Sequence, residues 1–305
     1  MHLNKSMKVF LLTSVALIAF AGNSIFCRLA LGEERIDAAS FTSIRLLTGI
    51  AVLLAVLALS PYRVKVRNGQ VQGADEHQTQ PTRGSWRAAL MLFIYAIGFS
   101  YAYVSLETGT GALILFGAVQ ITMIAVGLVT GNRLTVIEWL GVLLAFAGFT
   151  YLMLPGVEAP SLLGFVFMAA AGVAWGFYTL AGKGSRHPLS DTAFNFVRTL
   201  PLVVLLIVLT ISNSQMTLYG IVLAMLSGGL ASGIGYTIWY MALEGLSAIQ
   251  AAVLQLLVPI IATIGGFVFS GEEITLRFVI ATLMVLGGIL MVILGRFQSQ
   301  KQISS

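Results

Sequence analysis

The chain has one cysteine, Cys27, so an intrachain disulfide is impossible and a metal cluster built on cysteines is excluded. Charge is scarce as well. Asp, Glu, Lys and Arg make up 10% of the residues against 58% hydrophobic ones, too little polar surface to cover a fold in water. Histidine is nearly absent, and His2, His77 and His187 fall in a tail or polar loops, without an acidic partner at helical spacing. No apolar span carries two carboxylates near its centre, and no nucleophile motif, phosphate-cradling loop or metal-ligand spacing occurs. An enzyme is therefore not expected, nor a cofactor. The net charge of +5 is spread over short loops with no stripe of interleaved aromatics, which argues against a nucleic-acid partner.

What the sequence does have is long apolar runs. A helix needs about 20 residues to cross the hydrocarbon core, and runs of that order fall at about 9–31, 38–59, 87–106, 109–130, 135–154, 160–182, 191–212, 217–243, 247–270 and 276–295. Lipid offers no partner for backbone amides, and the runs lack the short alternating segments of a β-barrel, so helix is the reading throughout. The expected fold is an all-α membrane protein with ten transmembrane helices.

Residues 97–107, IGFSYAYVSLE, return at 234–244 as IGYTIWYMALE, each at the end of an apolar run. Phe41-x3-Arg45 is echoed by Phe194-x3-Arg198, and Thr130-Gly131-Asn132-Arg133-Leu134-Thr135 more weakly by Ser270-Gly271-Glu272-Glu273-Ile274-Thr275. These echoes divide the chain into two five-helix repeats, 1–155 and 156–305. An odd number of crossings per repeat makes the second half inverted relative to the first, the architecture of secondary transporters with a site between the halves.

Basic residues set the orientation, since Lys and Arg collect on the cytoplasmic side. With the N-terminus inside, the cytoplasmic segments hold Lys5, Lys8, Arg63, Lys65, Arg67, Arg83, Arg87, Arg133, Lys183, Arg186, Arg296 and Lys301, and the outer ones only Arg28, Arg35 and Arg277. Both termini are expected in the cytoplasm of an inner-membrane protein. Lys5 and Lys8 ahead of Ala19-Phe20-Ala21 imitate a signal peptide, but the apolar run continues to Leu31, longer than a signal sequence needs. The polar stretch at about 60–86 reads as a flexible connector.

Within the spans polar groups are few, and each is costly in lipid unless it faces the bundle interior. Asn23 and Ser24 on the first helix, Gln120 on the fourth, Trp175 and Tyr178 on the sixth, Tyr236 on the eighth and Gln255 on the ninth lie near mid-membrane. These are the candidate substrate-binding residues, with helix-to-helix hydrogen bonding as the alternative role for the three amides. Arg45 with Glu107 at one mouth, and Arg198 with Glu244 at the other, are candidate gating or coupling pairs. A structural Arg capping backbone carbonyls is the alternative for Arg45. The pairs Gly229/Gly233 and Gly172/Gly176, each four apart, mark close helix seams.

The order and spacing of Arg45, Trp175 with Lys183, Pro259 in Leu256-Leu257-Val258-Pro259-Ile260-Ile261, Ser270-Gly271-Glu272 and Gly287-Gly288 resemble the drug/metabolite transporter superfamily, and specifically its EamA-type permeases, from about residue 9 to 295. The first half departs from that pattern. Val119 stands where the repeat alignment expects the proline of helix 9, and Asn132 where it expects the counterpart of Glu272. The resemblance implies a central cavity and transport of amino acids, other metabolites or drugs, with outward movement as the family's tendency. The expected partners are a small-molecule substrate and the bilayer, and a homo-oligomer is left open. A carrier of nucleotide- or lipid-linked sugars and a multidrug efflux protein are the alternatives within the superfamily. With no acid or histidine at mid-membrane, facilitated diffusion or exchange is favoured over proton coupling.

The charge bias makes a direct prediction. A cysteine introduced at His77 is expected to stay unlabelled when intact cells meet an impermeant thiol reagent, whereas one at Glu158 reacts; labelling at His77 would reverse the topology.

Overall fold

The computed structural model describes residues 5–59, 84–131, 133–156, 159–182, 185, 187–243, 245–246 and 248–304. His77, Asn132, Glu158, Lys183 and the gating candidate Glu244 lie outside them. The described residues form helices α1 (Lys5–Leu31), α2 (Ala38–Leu59), α3 (Trp86–Tyr103), α4 (Thr108–Val129), α5 (Val136–Leu152), α6 (Leu162–Ala181), α7 (Pro188–Arg198 and Leu200–Thr210), α8 (Leu218–Met225, Leu226–Ile234 and Gly235–Leu243), α9 (Ala248–Gln255 and Leu257–Ser270) and α10 (Leu276–Ser304). The described residues contain no strand, only an isolated bridge between Ile36 and Met216. Eight of these helices are long and apolar enough to cross a membrane, while α3 with 18 residues and α5 with 17 are shorter.

Proline accounts for two of the interruptions. A proline inside a helix lacks an N–H, and its ring crowds the carbonyl four residues back. Pro259 does this to Gln255 and the helix breaks at Leu256; Pro201 does it to Val197 and the break falls at Thr199. The corresponding helices of the first half, α2 and α4, have no proline and run unbroken. Val119 therefore leaves α4 continuous, as its identity implies.

The third interruption has no proline. Leu226–Ile234 in α8 winds as a π-helix, and Ser232 Oγ donates to Ser227 O, five residues back, at 2.9 Å. This wider turn changes which residues share a face. The four-residue spacing drew attention to Gly229 with Gly233, but the tightest approach is at Gly228, where an added methyl would collide with the Arg45 carbonyl and the Thr48 hydroxyl. Gly229 has more room, facing only Val52 at 3.2 Å. A π-turn advances the register by one residue, so Gly228 takes the place that an α-helical reading assigns to its neighbour. Gly172 and Gly176 do lie in a tight seam, against Ala118 and Thr122 of α4.

Packing runs mainly between the halves. α6 lies against α3 and α4, α1 against α8 and α9, α2 against α7 and the π-segment of α8, and α5 against α10. In the last pair Gly141 and Gly288 each face the other's carbonyl, and no side chain could be inserted without separating the helices. Large apolar side chains such as Phe10, Leu143, Phe146, Val208 and Phe269 point outward.

Asp37 ties the halves together at one end. It caps α2 by accepting from Ser40 N at 2.9 Å and also accepts from Gln215 N at 3.0 Å in the α7–α8 connection. Burial alone raises its carboxyl, but the bonds from Ser40, Gln215 and Ala39 outweigh that and hold it below its ordinary value. A depressed carboxyl stabilises the fold above its unfolded pKa and ceases to do so as pH falls through the folded value. Asp37→Ala should cost about 1 kcal/mol at neutral pH, with the difference from wild type vanishing well below about pH 3.9. Thermal melts in detergent at both pH values measure it.

Candidate functional site

Trp175 on α6 is the centre of an aromatic column. Its ring centroid lies 4.6 Å from Tyr95, 5.1 Å from Tyr178 and 5.4 Å from Tyr236, the last two stacked at 27°. Trp175 and Tyr178 are three apart and share a face of α6. Tyr236 comes from α8 just after the π-segment, and Tyr95 from half-way along α3. Phe20 of α1 closes the group against Tyr236 at 5.8 Å. The three aromatic residues expected from the sequence are thus in one place. Tyr95 was missed, although its mid-span depth is the same signal that singled out the others.

A polar chain runs alongside this column. Ser227 Oγ donates to Asn23 Oδ1 at 2.6 Å, Asn23 Nδ2 donates to Tyr95 Oη at 3.3 Å, and Arg45 Nη2 donates to the same hydroxyl at 2.8 Å. The Arg45 guanidinium rests on the rings of Phe99 and Tyr95, 4.7 and 5.1 Å from their centroids. Three helices, α1, α2 and α3, therefore meet at one tyrosine hydroxyl, and α8 joins them through Asn23.

The remaining candidates are placed less centrally. Ser24 is buried on α1. Among the described residues Gln120, buried on α4, has no partner for Nε2, and neither it nor Gln255, half-buried at the break in α9, hydrogen-bonds to the column. Arg198 is half-buried and lies over the Trp86 ring at 5.8 Å. Arg45 is directed to Tyr95, and no ion pair joins it to Glu107 among the described residues.

Two sets of bonds join the halves, one towards each end of the bundle. At one end Gly271, with φ +64°, stops α9 and turns Glu272 back over the start of α4. Its carboxylate accepts from Thr108 N at 2.8 and 2.9 Å, from Thr108 Oγ1 at 3.0 Å and from Arg28 Nε at 3.1 Å. A carboxylate at a helix N-terminus also meets the positive end of the helix dipole. At the other end Gly84 N donates to Asp191 Oδ1 and Ser85 N to Asn195 Oδ1, both at 2.8 Å, joining the start of α3 to α7. Arg28, Asp191 and Asn195 were not among the candidates, since their role depends on chain separations of 107 residues and more.

The EamA-like transporter family model matches residues 162–294. An uncharacterised protein of Pseudomonas aeruginosa is 46% identical over 95% of this chain and 96% of its own. The chain belongs to the EamA-like transporter family. An uncharacterised transporter of Archaeoglobus fulgidus is 25% identical over 66% of this chain and 73% of its own. A solved crystal structure shares the fold over 93% of this chain and 99% of its own, with a TM-score of 0.58 at 20% identity. This EamA-type permease of the drug/metabolite transporter superfamily is an integral, multi-pass, all-α membrane protein with transport as its activity.

Glu107 sits beside the Glu272 latch of the permease. Burial, helped by repulsion from Glu272, pushes its carboxyl above the ordinary value against the opposing pull of Arg28. A raised carboxyl pKa means that the ionised form is penalised in the folded state, so the penalty is present at neutral pH and absent where Glu107 is protonated. Glu107→Gln is expected to raise the melting temperature slightly at pH 7 and to leave it unchanged below about pH 4. A lower melting temperature at pH 7 would mean that ionised Glu107 supports this end.

Proposed function

We propose that the permease is a ten-helix carrier of two inverted five-helix repeats, 1–155 and 156–305, that moves small amphipathic metabolites such as amino acids across the inner membrane by alternating access, predominantly outward, with both termini cytoplasmic. The observation that carries this reading is the column at Trp175, built by helices of both halves, with bonds between the halves towards each end of the bundle. The helix pairings add support. Exchanging each helix with the one five further along turns α3–α6 into α8–α1, α4–α6 into α9–α1 and α2–α8 into α7–α3, and all of these pairs are in contact. Such equivalence lets two conformations, each open to one side, have similar energies.

The chemistry of the column suits a small solute with an apolar body. Trp175, Tyr178 and Tyr236 supply aromatic faces, and Asn23 and Tyr95 supply hydrogen-bond partners. Ser24, Gln120 and Gln255 are assigned to the pathway as lining residues whose polar groups serve the solute in transit. In this reading the Glu272–Thr108–Arg28 latch and the Gly84–Ser85 to Asp191–Asn195 latch open in turn, and the arginine–glutamate exchange expected at the mouths is carried at the first end by Arg28 and Glu272, with Glu107 alongside.

Cysteine pairs test the mechanism in a Cys27→Ala background. Ser85→Cys with Asn195→Cys, and separately Thr108→Cys with Glu272→Cys, are oxidised in proteoliposomes during amino-acid counterflow. Each cross-link is expected to stop transport at least about tenfold and reduction to restore it; full transport with both ends cross-linked would overturn alternating access.

A further inference from the structure

Arg45 is chemically incomplete. It is 2% exposed, yet Nη1 has no hydrogen-bond partner, and no carboxylate pairs with the guanidinium among the described residues. The group carries five N–H donors and keeps its charge at any relevant pH. An uncompensated cation buried in a membrane protein is costly, and such residues are commonly functional. A purely structural arginine would resolve the cost by capping carbonyls or pairing with an acid. Among the described residues Arg45 does neither: it donates to the Tyr95 hydroxyl and lies on two aromatic rings.

Its surroundings say what would complete it. The same Tyr95 hydroxyl accepts from Asn23, and the Tyr95 ring is 4.6 Å from Trp175. A solute reaching Arg45 would meet one positive charge beside a wide aromatic wall. We propose that Arg45 is the anchor for a substrate carboxylate, so that the transported solute is a small monocarboxylate or zwitterion with an apolar or flat body lying along Trp175 and Tyr236. The proposal rests on the transporter reading above and adds the charge and polarity of the substrate. A singly charged carboxylate matches the single cation. A phosphate carries −1.5 to −2 charges at about pH 7 and would call for a second cation, whereas Arg28 is engaged by Glu272 and Arg198 lies over Trp86.

The site also explains why the guanidinium is held by a tyrosine in place of an acid. A fixed carboxylate partner would compete with the substrate for the same donors, while a hydroxyl orients Nη2 and leaves the charge uncancelled. Bidentate recognition of a carboxylate by arginine is the strong form of this contact. The Tyr95 and Asn23 side chains then serve as positioning residues that hold the fork towards the aromatic wall.

The test compares 3-phenylpropanoate with 3-phenylpropanamide, which have the same aromatic body and differ in charge. Dissociation constants come from the concentration dependence of thermal stabilisation of the purified full chain, and transport of the carboxylate is followed in proteoliposomes. The carboxylate is expected to bind about 10- to 100-fold more tightly than the amide, the range for a hydrogen bond to a charged group, and this preference should fall at least about fivefold in Arg45→Gln. Tyr95→Phe keeps the ring and should reduce the preference partially, which keeps the test decisive if Arg45→Gln does not fold. Equal binding of the two probes to wild type would overturn the carboxylate anchor while leaving the transporter reading intact. Stabilisation by chloride alone, without preference for the carboxylate, would overturn it too. Neither probe binding or moving, in a preparation that also fails in amino-acid counterflow, would overturn both.

Discussion

The hydrogen bond from Arg45 to the Tyr95 hydroxyl is the interaction on which the arrangement of the core depends. In lipid nothing outside the protein can solvate a guanidinium or a buried amide, so every such group must find its partner within the bundle or keep the cost. One hydroxyl here serves both Arg45 and Asn23, and Asn23 in turn accepts from Ser227. Those contacts require α1, α2, α3 and α8 to approach closely, and the approach of α2 to α8 needs a residue without a side chain at Gly228, directly over the Arg45 carbonyl. The π-turn in α8 satisfies this by presenting Ser227 and Gly228 together. Packing, backbone geometry and polar satisfaction thus converge on the same few residues.

The helices of the two halves differ in continuity. α2 and α4 are continuous, whereas α7 and α9 are broken by Pro201 and Pro259, and α8 is wound in three pieces. Helix breaks and π-turns are places where torsion angles change at little cost, because hydrogen bonds are already missing or rearranged there. These interruptions all fall in the second half, while α2 and α4 of the first run unbroken. Gln255 stands at one of these interruptions, four residues before Pro259, whose ring crowds the carbonyl at that position.

The closures at the two ends also differ in kind. The Glu272 end uses a carboxylate that serves a helix N-terminus and an arginine together, a charge-assisted arrangement strengthened by partial burial. The Ser85 end relies on backbone N–H groups donating to Asp191 and Asn195. Both include hydrogen bonds from backbone N–H groups at or just before a helix start. Glu107 adds a second carboxylate beside Glu272, and burial together with that neighbour holds its carboxyl above the ordinary value.

Much of this was determined locally and is legible in the chain itself. The all-helical class, the unbroken α4 at Val119 and the grouping of Trp175, Tyr178 and Tyr236 follow from hydrophobic runs, proline positions and depth, whereas α3 and α5 are shorter than their apolar runs suggested and eight helices, against the ten expected, are long and apolar enough to cross a membrane. Other features belong to the tertiary structure. The shift from Gly229 to Gly228 arises from a π-turn that no residue pattern announces, because it is stabilised by α2 packing against it. Tyr95 as the shared partner of Arg45 and Asn23, and Glu272 as the cap of α4 and partner of Arg28, join residues 50, 72, 164 and 244 positions apart in the chain. A single sequence carries the identity of a costly polar group, but its partner is chosen by how helices distant in the chain come to lie against one another.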